Sequence, residues 1–194
     1  MTFMEIQKIL KNKTVGIAGC GGLGSNCAVA LARVGVGTLI IADFDKIEES
    51  NLNRQYYFYD QIGLPKSETL KENIKRINPK VNVINHQVFV DEKNIPVIFK
   101  DCDIIVEAFD KVEAKEMIIK TVNKVFPDKY LVCGIGMAGW GQNALIREQR
   151  FGKLIICGDG INEISDSNPP LAPRVGIVSN MQANIVLELL LKNN

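Results

Sequence analysis

Gly19-Cys20-Gly21-Gly22-Leu23-Gly24 stands directly after the apolar run Thr14-Val15-Gly16-Ile17-Ala18 and opens a segment, residues 23–34, in which Leu23, Cys27, Ala30, Leu31 and Val34 share one helical face. The G-x-G-x-x-G spacing in that setting, strand before and helix after, is the turn of a nucleotide-binding βαβ unit. The glycines permit a tight bend and close backbone approach, and the helix amino terminus offers free amides and a partial positive charge to a phosphate. A second apolar run, Thr38-Leu39-Ile40-Ile41-Ala42, closes the unit as its second strand, and Asp43 at that strand's tip is placed to accept hydrogen bonds from ribose hydroxyls.

Working outward, the alternation of apolar runs and helical periodicities continues in both directions. Residues 3–12 read as a short amphipathic helix. Pro65 suits a helix start, with Leu70, Ile74 and Ile77 on the buried face and Asn78-Pro79 as the stop. Strands are expected at 81–85, 103–107 and 130–135, and a helix at 111–125. After four glycines between 134 and 141, residues 143–147 and 153–157 read as an antiparallel hairpin added to the sheet. Residues 158–173 contain Pro169, Pro170 and Pro173 and read as an extended loop, followed by an apolar terminal helix over 175–191 that packs in the core or at a dimer contact. The expected fold is α/β: a single domain over 1–194 with a Rossmann-like, doubly wound, mostly parallel sheet extended by antiparallel strands.

Composition narrows the partners. Hydrophobic residues make up 46% and charged residues 23%, the balance of a chain able to bury a full core, and the formal net charge of +1 gives no general field for nucleic acid or an anionic membrane. Phosphate recognition must therefore be local. The amino terminus has no signal-peptide pattern and no stretch is long and apolar enough for a membrane span, so a cytoplasmic location is expected. Cys20, Cys27, Cys102, Cys133 and Cys157 are isolated from one another, and His86 is the lone histidine, so no zinc site is expected.

Taken alone, the βαβ unit favours a nicotinamide- or flavin-dependent dehydrogenase, the commonest use of this fingerprint. The residues downstream of it do not. Ser50-Asn51-Leu52-Asn53-Arg54-Gln55 brings an amide and a guanidinium to the carboxyl edge of the sheet, and Gly63-Leu64-Pro65-Lys66 sets an ammonium in the first turn of a helix, where the dipole disfavours it unless it serves an anion. Two cations fit a triphosphate. Asp110, after the strand ending at Glu107, can hold a magnesium ion shared with phosphates. Nucleotidyl transfer needs such cations to stabilise charge moving onto phosphate oxygens.

These motifs, with Asp43-Phe44-Asp45 and Arg76-Ile77-Asn78-Pro79, stand in one order, and in that order the chain resembles the ThiF/MoeB/HesA superfamily, bacterial relatives of ubiquitin-activating enzymes. The short length and lack of zinc cysteines resemble its compact ThiF-like branch. The resemblance implies adenylation, with magnesium ATP, of the C-terminal glycine of a ubiquitin-like sulfur-carrier protein of the ThiS or MoaD kind, with thiamine thiazole synthesis favoured, and a homodimer. It implies nucleotide contacts from Gly19, Gly21, Gly22, Leu23, Gly24, Asp45 and Ser50, from Asp43 at the ribose, and from Asn51, Arg54 and Lys66 at the phosphates, with Asn51, Arg54 and Lys66 catalytic and Asp110 on the metal.

The match has gaps. Family members often carry an aspartate three residues before the metal aspartate and an asparagine after it, where this chain has Glu107 and Lys111. Relatives extend an arginine from the amino-terminal region of a neighbouring subunit, and this chain has none before Arg33. A covalent sulfur role falls to Cys157 if to any cysteine, against burial in a strand. The aromatic run Tyr56-Tyr57-Phe58-Tyr59 either stacks adenine or packs a loop, and Met137-Ala138-Gly139-Trp140-Gly141 either borders a groove for a glycine-ended tail or packs a loop. A non-catalytic carrier- or nucleotide-binding protein stays open beside the dehydrogenase, and a tRNA-modifying relative is disfavoured by the near-neutral charge.

Overall fold

The computed structural model describes residues 1–192. The elements run α1 (Phe3–Leu10), β1 (Thr14–Ala18), α2 (Gly22–Val34), β2 (Thr38–Ala42), α3 (Lys66–Ile77), β3 (Asn82–His86) and α4 (Ile95–Ile98). They continue with β4 (Ile104–Glu107), α5 (Val112–Val125), β5 (Tyr130–Ile135), β6 (Arg147–Phe151), β7 (Leu154–Gly158) and α6 (Ala172–Lys192). The strands form one seven-stranded sheet in the order β3-β2-β1-β4-β5-β7-β6. The chain leaves β1 toward β2 and β3 on one side and toward β4 and β5 on the other. The β1/β4 boundary is therefore the switch point, and its carboxyl edge is where ligands bind in such sheets.

Strand residues alternate between two apolar layers, as a pleat requires. Val15, Ile17, Leu39, Ile41, Ile104 and Val106 point into a core shared with α2 and α6. Ile40, Ile105 and Leu131 point the other way, against Phe99, Ile118 and Val122 of the α4–α5 side. With both faces of the central strands covered, β1, β2 and β4 read as continuous apolar runs. Their register is regular, with Thr14 beside Thr38 and Ala18 beside both Ala42 and Glu107.

The expected hairpin is present but shifted and differently joined. Residues 143–145 form a 3-10 turn, the strand begins at Arg147, and β7 pairs parallel with β5, so β6 alone runs antiparallel. The apolar residues Leu154, Ile155 and Ile156 mark β7 as a half-buried strand, but an apolar pattern carries no strand direction. The terminal helix starts earlier than expected, at Ala172, because Pro173 sits in the first turn, where its missing N–H removes no intrahelical bond. The short helix α4 was not legible as a helix, having a single turn.

Helix α6 lies along α2, with Val178, Ile185 and Val186 in the shared core. Ile185→Ala is expected to lower unfolding free energy by about 2–5 kcal/mol, measured by urea denaturation.

Candidate active site

The turn after β1 is built by close approach. A Cβ on Gly24 would stand 1.9 Å from the carbonyl oxygen of Gly19, and Gly19 itself has φ +98°. The first helical turn thus lies against the strand end, and Gly21, Gly22 and Leu23 line a cleft of about 450 Å3. First-turn amides of a helix have no intrahelical acceptor, so this wall of the cleft is a ready anion site.

Four side chains hold the turn. Asp43 accepts the Cys20 amide at 2.6 Å on one carboxylate oxygen and the Asp45 amide at 2.8 Å on the other. The Tyr57 hydroxyl reaches the Cys20 carbonyl at 2.8 Å. Ser25 donates to the Gly21 carbonyl at 2.6 Å and accepts the Tyr56 amide at 3.0 Å. Asn26 then donates both to the Gly22 carbonyl, at 2.7 Å, and to the Arg54 carbonyl, at 2.8 Å. That bond sets Arg54 beside Gly22, so two motifs distant in sequence share one wall.

The expected cations arrive in the same cleft. Lys66 opens α3, is buried, and pairs with Asp45 at 3.1 Å. Arg54 donates to the Ser50 carbonyl at 3.0 Å and to Asn53 Oδ1 at 2.7 Å. Burial lowers the Arg54 pKa while the charge of Asp110 acts to raise it, which places guanidinium and carboxylate within electrostatic reach across the cleft. Burial raises the pKa of Asp43, and its amide bonds and Lys66 act against that rise. Gly19, Asp43, Asp45 and Asp110 complete the expected lining.

Asn51, Ser50 and Gly24 are not part of that lining. Asn51 is buried, and its Oδ1 accepts the Glu48 amide at 3.1 Å, shaping the 3-10 turn that delivers Arg54. Ser50 is exposed, and Gly24 is in the contact beneath the turn.

The aromatic wall is not the tyrosine run. Tyr57 is a buried prop under the glycine turn, whereas Phe44 and Phe89, edge to face at 5.2 Å, stand in the cleft with Val88 and Val90. The signal for Phe44 lay beside Asp43, but residues 87–90 follow β3 without periodicity and carry none. Gln55 closes the motif that begins at Ser50, where the residue type alone suggests no role. It lines the cleft, and its buried Oε1 has no hydrogen-bond partner. An adenosine phosphate fits this set: amides and cations for phosphate, acids for ribose, an apolar wall for the base. His86 acts through its backbone, its carbonyl accepting the Asp43 amide at 3.1 Å.

For a metal the fit is narrower. Among the described residues no group of three or more His, Cys, Asp or Glu side chains is placed to hold an ion. Asp110, exposed at the cleft rim, suits only a magnesium ion that takes its remaining ligands from phosphates and water.

A second cleft of about 330 Å3 adjoins the first and shares Asp110, Met137 and Ile164 with it. Its wall is largely apolar, from Val112, Ile119, Ile135 and Ile156. At its floor Lys115 pairs with the buried Glu107 at 2.8 Å and donates to the Gly134 carbonyl at 2.7 Å.

Compared with known proteins, the sequence matches the ThiF family over residues 2–194. The chain belongs to the ThiF family. Relatives include the adenylyltransferase and sulfurtransferase MOCS3 of Caenorhabditis briggsae, 44% identical over 113 residues, covering 58% of this chain and 28% of that protein. The tRNA threonylcarbamoyladenosine dehydratase of Bacillus subtilis is 36% identical over 131 residues, covering 66% and 51%. The molybdopterin-synthase adenylyltransferase of Haemophilus influenzae is 35% identical over 118 residues, covering 60% and 49%. The chain thus spans between about a quarter and a half of these relatives. Among solved structures, the Escherichia coli dehydratase TcdA in complex with AMP superposes with a TM-score of 0.87 at 21% identity, covering 97% of this chain and 90% of that one, a likeness of fold.

The cysteines of this ThiF-family chain are all free and buried. Burial pushes the Cys157 thiol up to about 12 and Cys102 likewise to about 12, so neither carries thiolate at neutral pH. Burial thus speaks against the covalent sulfur role considered for Cys157. Iodoacetamide at pH 8 should label none of the five in the native protein and all five in urea, as read by intact mass. Gly24→Ala should cost about 1–3 kcal/mol through overpacking against Gly19 and weaken ATP binding, measured by melting and titration calorimetry.

Proposed function

We propose that this chain is a nucleotidyltransferase that uses magnesium ATP to adenylate the C-terminal glycine carboxylate of a ubiquitin-like sulfur-carrier protein. The observation that carries the reading is the meeting of two clefts at Asp110. One gathers the glycine turn, Arg54 and Lys66; the other is apolar and opens onto it. A hydride-transfer enzyme would leave the paired cations without a purpose. Relatives named adenylyltransferases support the chemistry, and ATP binding is in keeping with the AMP and ATP complexes of TcdA.

In this mechanism the carrier carboxylate enters through the second cleft and attacks the α-phosphorus in line. A P–O bond forms to the carboxylate as the bond to the β-phosphate breaks, giving the acyl adenylate and pyrophosphate. The acid is already ionised at neutral pH, so no general base is needed. Arg54 stabilises charge on the non-bridging oxygens beside Gly22. Lys66 exchanges part of its bond to Asp45 for the phosphate chain, and Asn51 holds the turn on which Arg54 stands. Asp110 would hold a magnesium ion, which when bound would neutralise phosphate charge. Positioning and electrostatics supply the rate.

The second cleft also bears on the acceptor. With the buried Glu107 paired to Lys115, Asp110, Glu116 and Glu163 leave the cleft rim acidic, an unfavourable surface for a nucleic-acid backbone. That favours a polypeptide tail over tRNA, although a tRNA dehydratase stands among the relatives. Family resemblance alone selects a ThiS-like carrier in thiazole formation, and a homodimer belongs to the same reading.

Exchange of labelled pyrophosphate into ATP tests the reading. It should depend on a ubiquitin-fold protein ending in Gly-Gly and not on tRNA. Arg54→Ala should slow it by about a hundredfold or more with the melting temperature retained. Tight ATP binding without any carrier-dependent exchange would instead make the chain a non-catalytic binder.

A further inference from the structure

Arg174 is the bulkiest of the fully buried side chains among the described residues, and it sits in the first turn of α6. Both facts count against a cation there. The helix amino terminus repels positive charge, and burial strips the guanidinium of water. Its Nε has no partner. An apolar side chain of similar volume would suit the core better if stability were all that mattered.

The guanidinium joins three segments. Nη2 donates to the buried Asp159 carboxylate and Nη1 to the Gly141 carbonyl. Asp159 also accepts the amides of Ile161, at 2.8 Å, and Asn162, at 2.9 Å. The Asn162 side chain donates to Asp159 and to Gln142 Oε1, the latter at 3.2 Å. Gly136 leaves room for the carboxylate, since a Cβ there would stand 2.0 Å from Asp159 Oδ1. The two loops, residues 136–142 and 159–171, are further joined by Ala138 N–H to the Asn162 carbonyl at 3.3 Å and Gly139 N–H to the Pro169 carbonyl at 2.9 Å.

These loops carry Met137 and Ile164, which line both clefts where they meet. Neither Asp159 nor Arg174 lines either cleft. We infer that the Asp159–Arg174 pair is a clasp that positions the acceptor: by fixing Met137 and Ile164 it sets the passage through which the substrate carboxylate reaches the nucleotide. The inference rests on the adenylation reading. A planar fork bonded at both ends fixes three backbone segments in direction as well as distance, which apolar packing does not. Asp159 and Arg174 are positioning residues, separate from the phosphate-binding wall.

The test uses the full chain, saturating ATP and a ubiquitin-fold protein ending in Gly-Gly. Arg174→Met keeps the stem without the fork, Asp159→Asn keeps the shape without the charge, and Arg174→Lys returns the charge without the fork. Arg174→Met and Asp159→Asn should each raise the KM for the carrier in pyrophosphate exchange by about tenfold or more, with the Kd for ATP within about twofold of wild type. Arg174→Lys should recover only part of the loss. Hydrogen exchange at residues 159–164 should quicken in the folded Arg174→Met protein.

Unchanged carrier kinetics in a folded variant would overturn the clasp, and so would loss of ATP affinity in step with carrier KM. If Arg174→Met does not fold, Asp159→Asn decides by the same two measurements. Wild-type exchange without a variant effect removes the clasp alone, whereas absence of wild-type exchange with the carrier removes the adenylation reading and the clasp together.

Discussion

The buried carboxylate of Asp43 is the constraint on which the site depends. It stands at the end of β2, takes the Cys20 amide from the turn after β1 and the Asp45 amide from its own loop, and so fixes two neighbouring strand ends to each other. Asp45 in turn pairs with the Lys66 ammonium, and its carbonyl accepts the Lys66 backbone amide at 2.9 Å. The glycine turn, the two acids and one of the two cations are therefore one connected unit. Withdrawing a carboxylate from water costs several kcal/mol, and two charge-assisted bonds at about 1.5–3 kcal/mol each are of the size needed to offset it.

The sheet explains why such a unit can form at this place. The switch point between β1 and β4 opens a crevice without any loop having to hold it open, and the strands beneath are covered on both faces. The α2 helix is rigid because α6 packs along it in the same core. The free amides of the turn consequently keep their direction. A site built from backbone dipoles on rigid elements needs little reorganisation when charge develops on a phosphate.

Legibility followed the same division. β1, β2 and β5 were readable to the residue, since short apolar runs flanked by Gly, Asn or Asp have clear ends, and the cleft residues on strand tips and helix starts were readable with them. The identity of the aromatic wall was not. Tyr57 and Phe89 differ by which of two loops folds inward, a tertiary outcome with no period in the sequence. The direction of β7 was equally hidden, because pairing partner depends on the crossover path. Buried Arg174 was the furthest from reach: nothing local in Ala172-Pro173-Arg174 places it, and only Asp159, fifteen residues earlier, accounts for its burial.

This division bears on where specificity resides. The first cleft is made by strand ends and helix starts, whose geometry the fold imposes, and relatives of different named activities match this chain at 44% and 36% identity. On the adenylation reading the acceptor half is bordered by residues 136–142 and 159–171, which have little regular structure and are held by the Asp159 carboxylate and by bonds between the two loops. A change of acceptor therefore needs no change in β1, α2 or α3, only in what the two loops present and in how they are tied down. Net charge supports the same separation. With +1 over the whole chain, long-range attraction selects no polyanion, and on the adenylation reading discrimination between a polypeptide carboxylate and a nucleotide one falls to the few residues around Asp110, Met137 and Ile164.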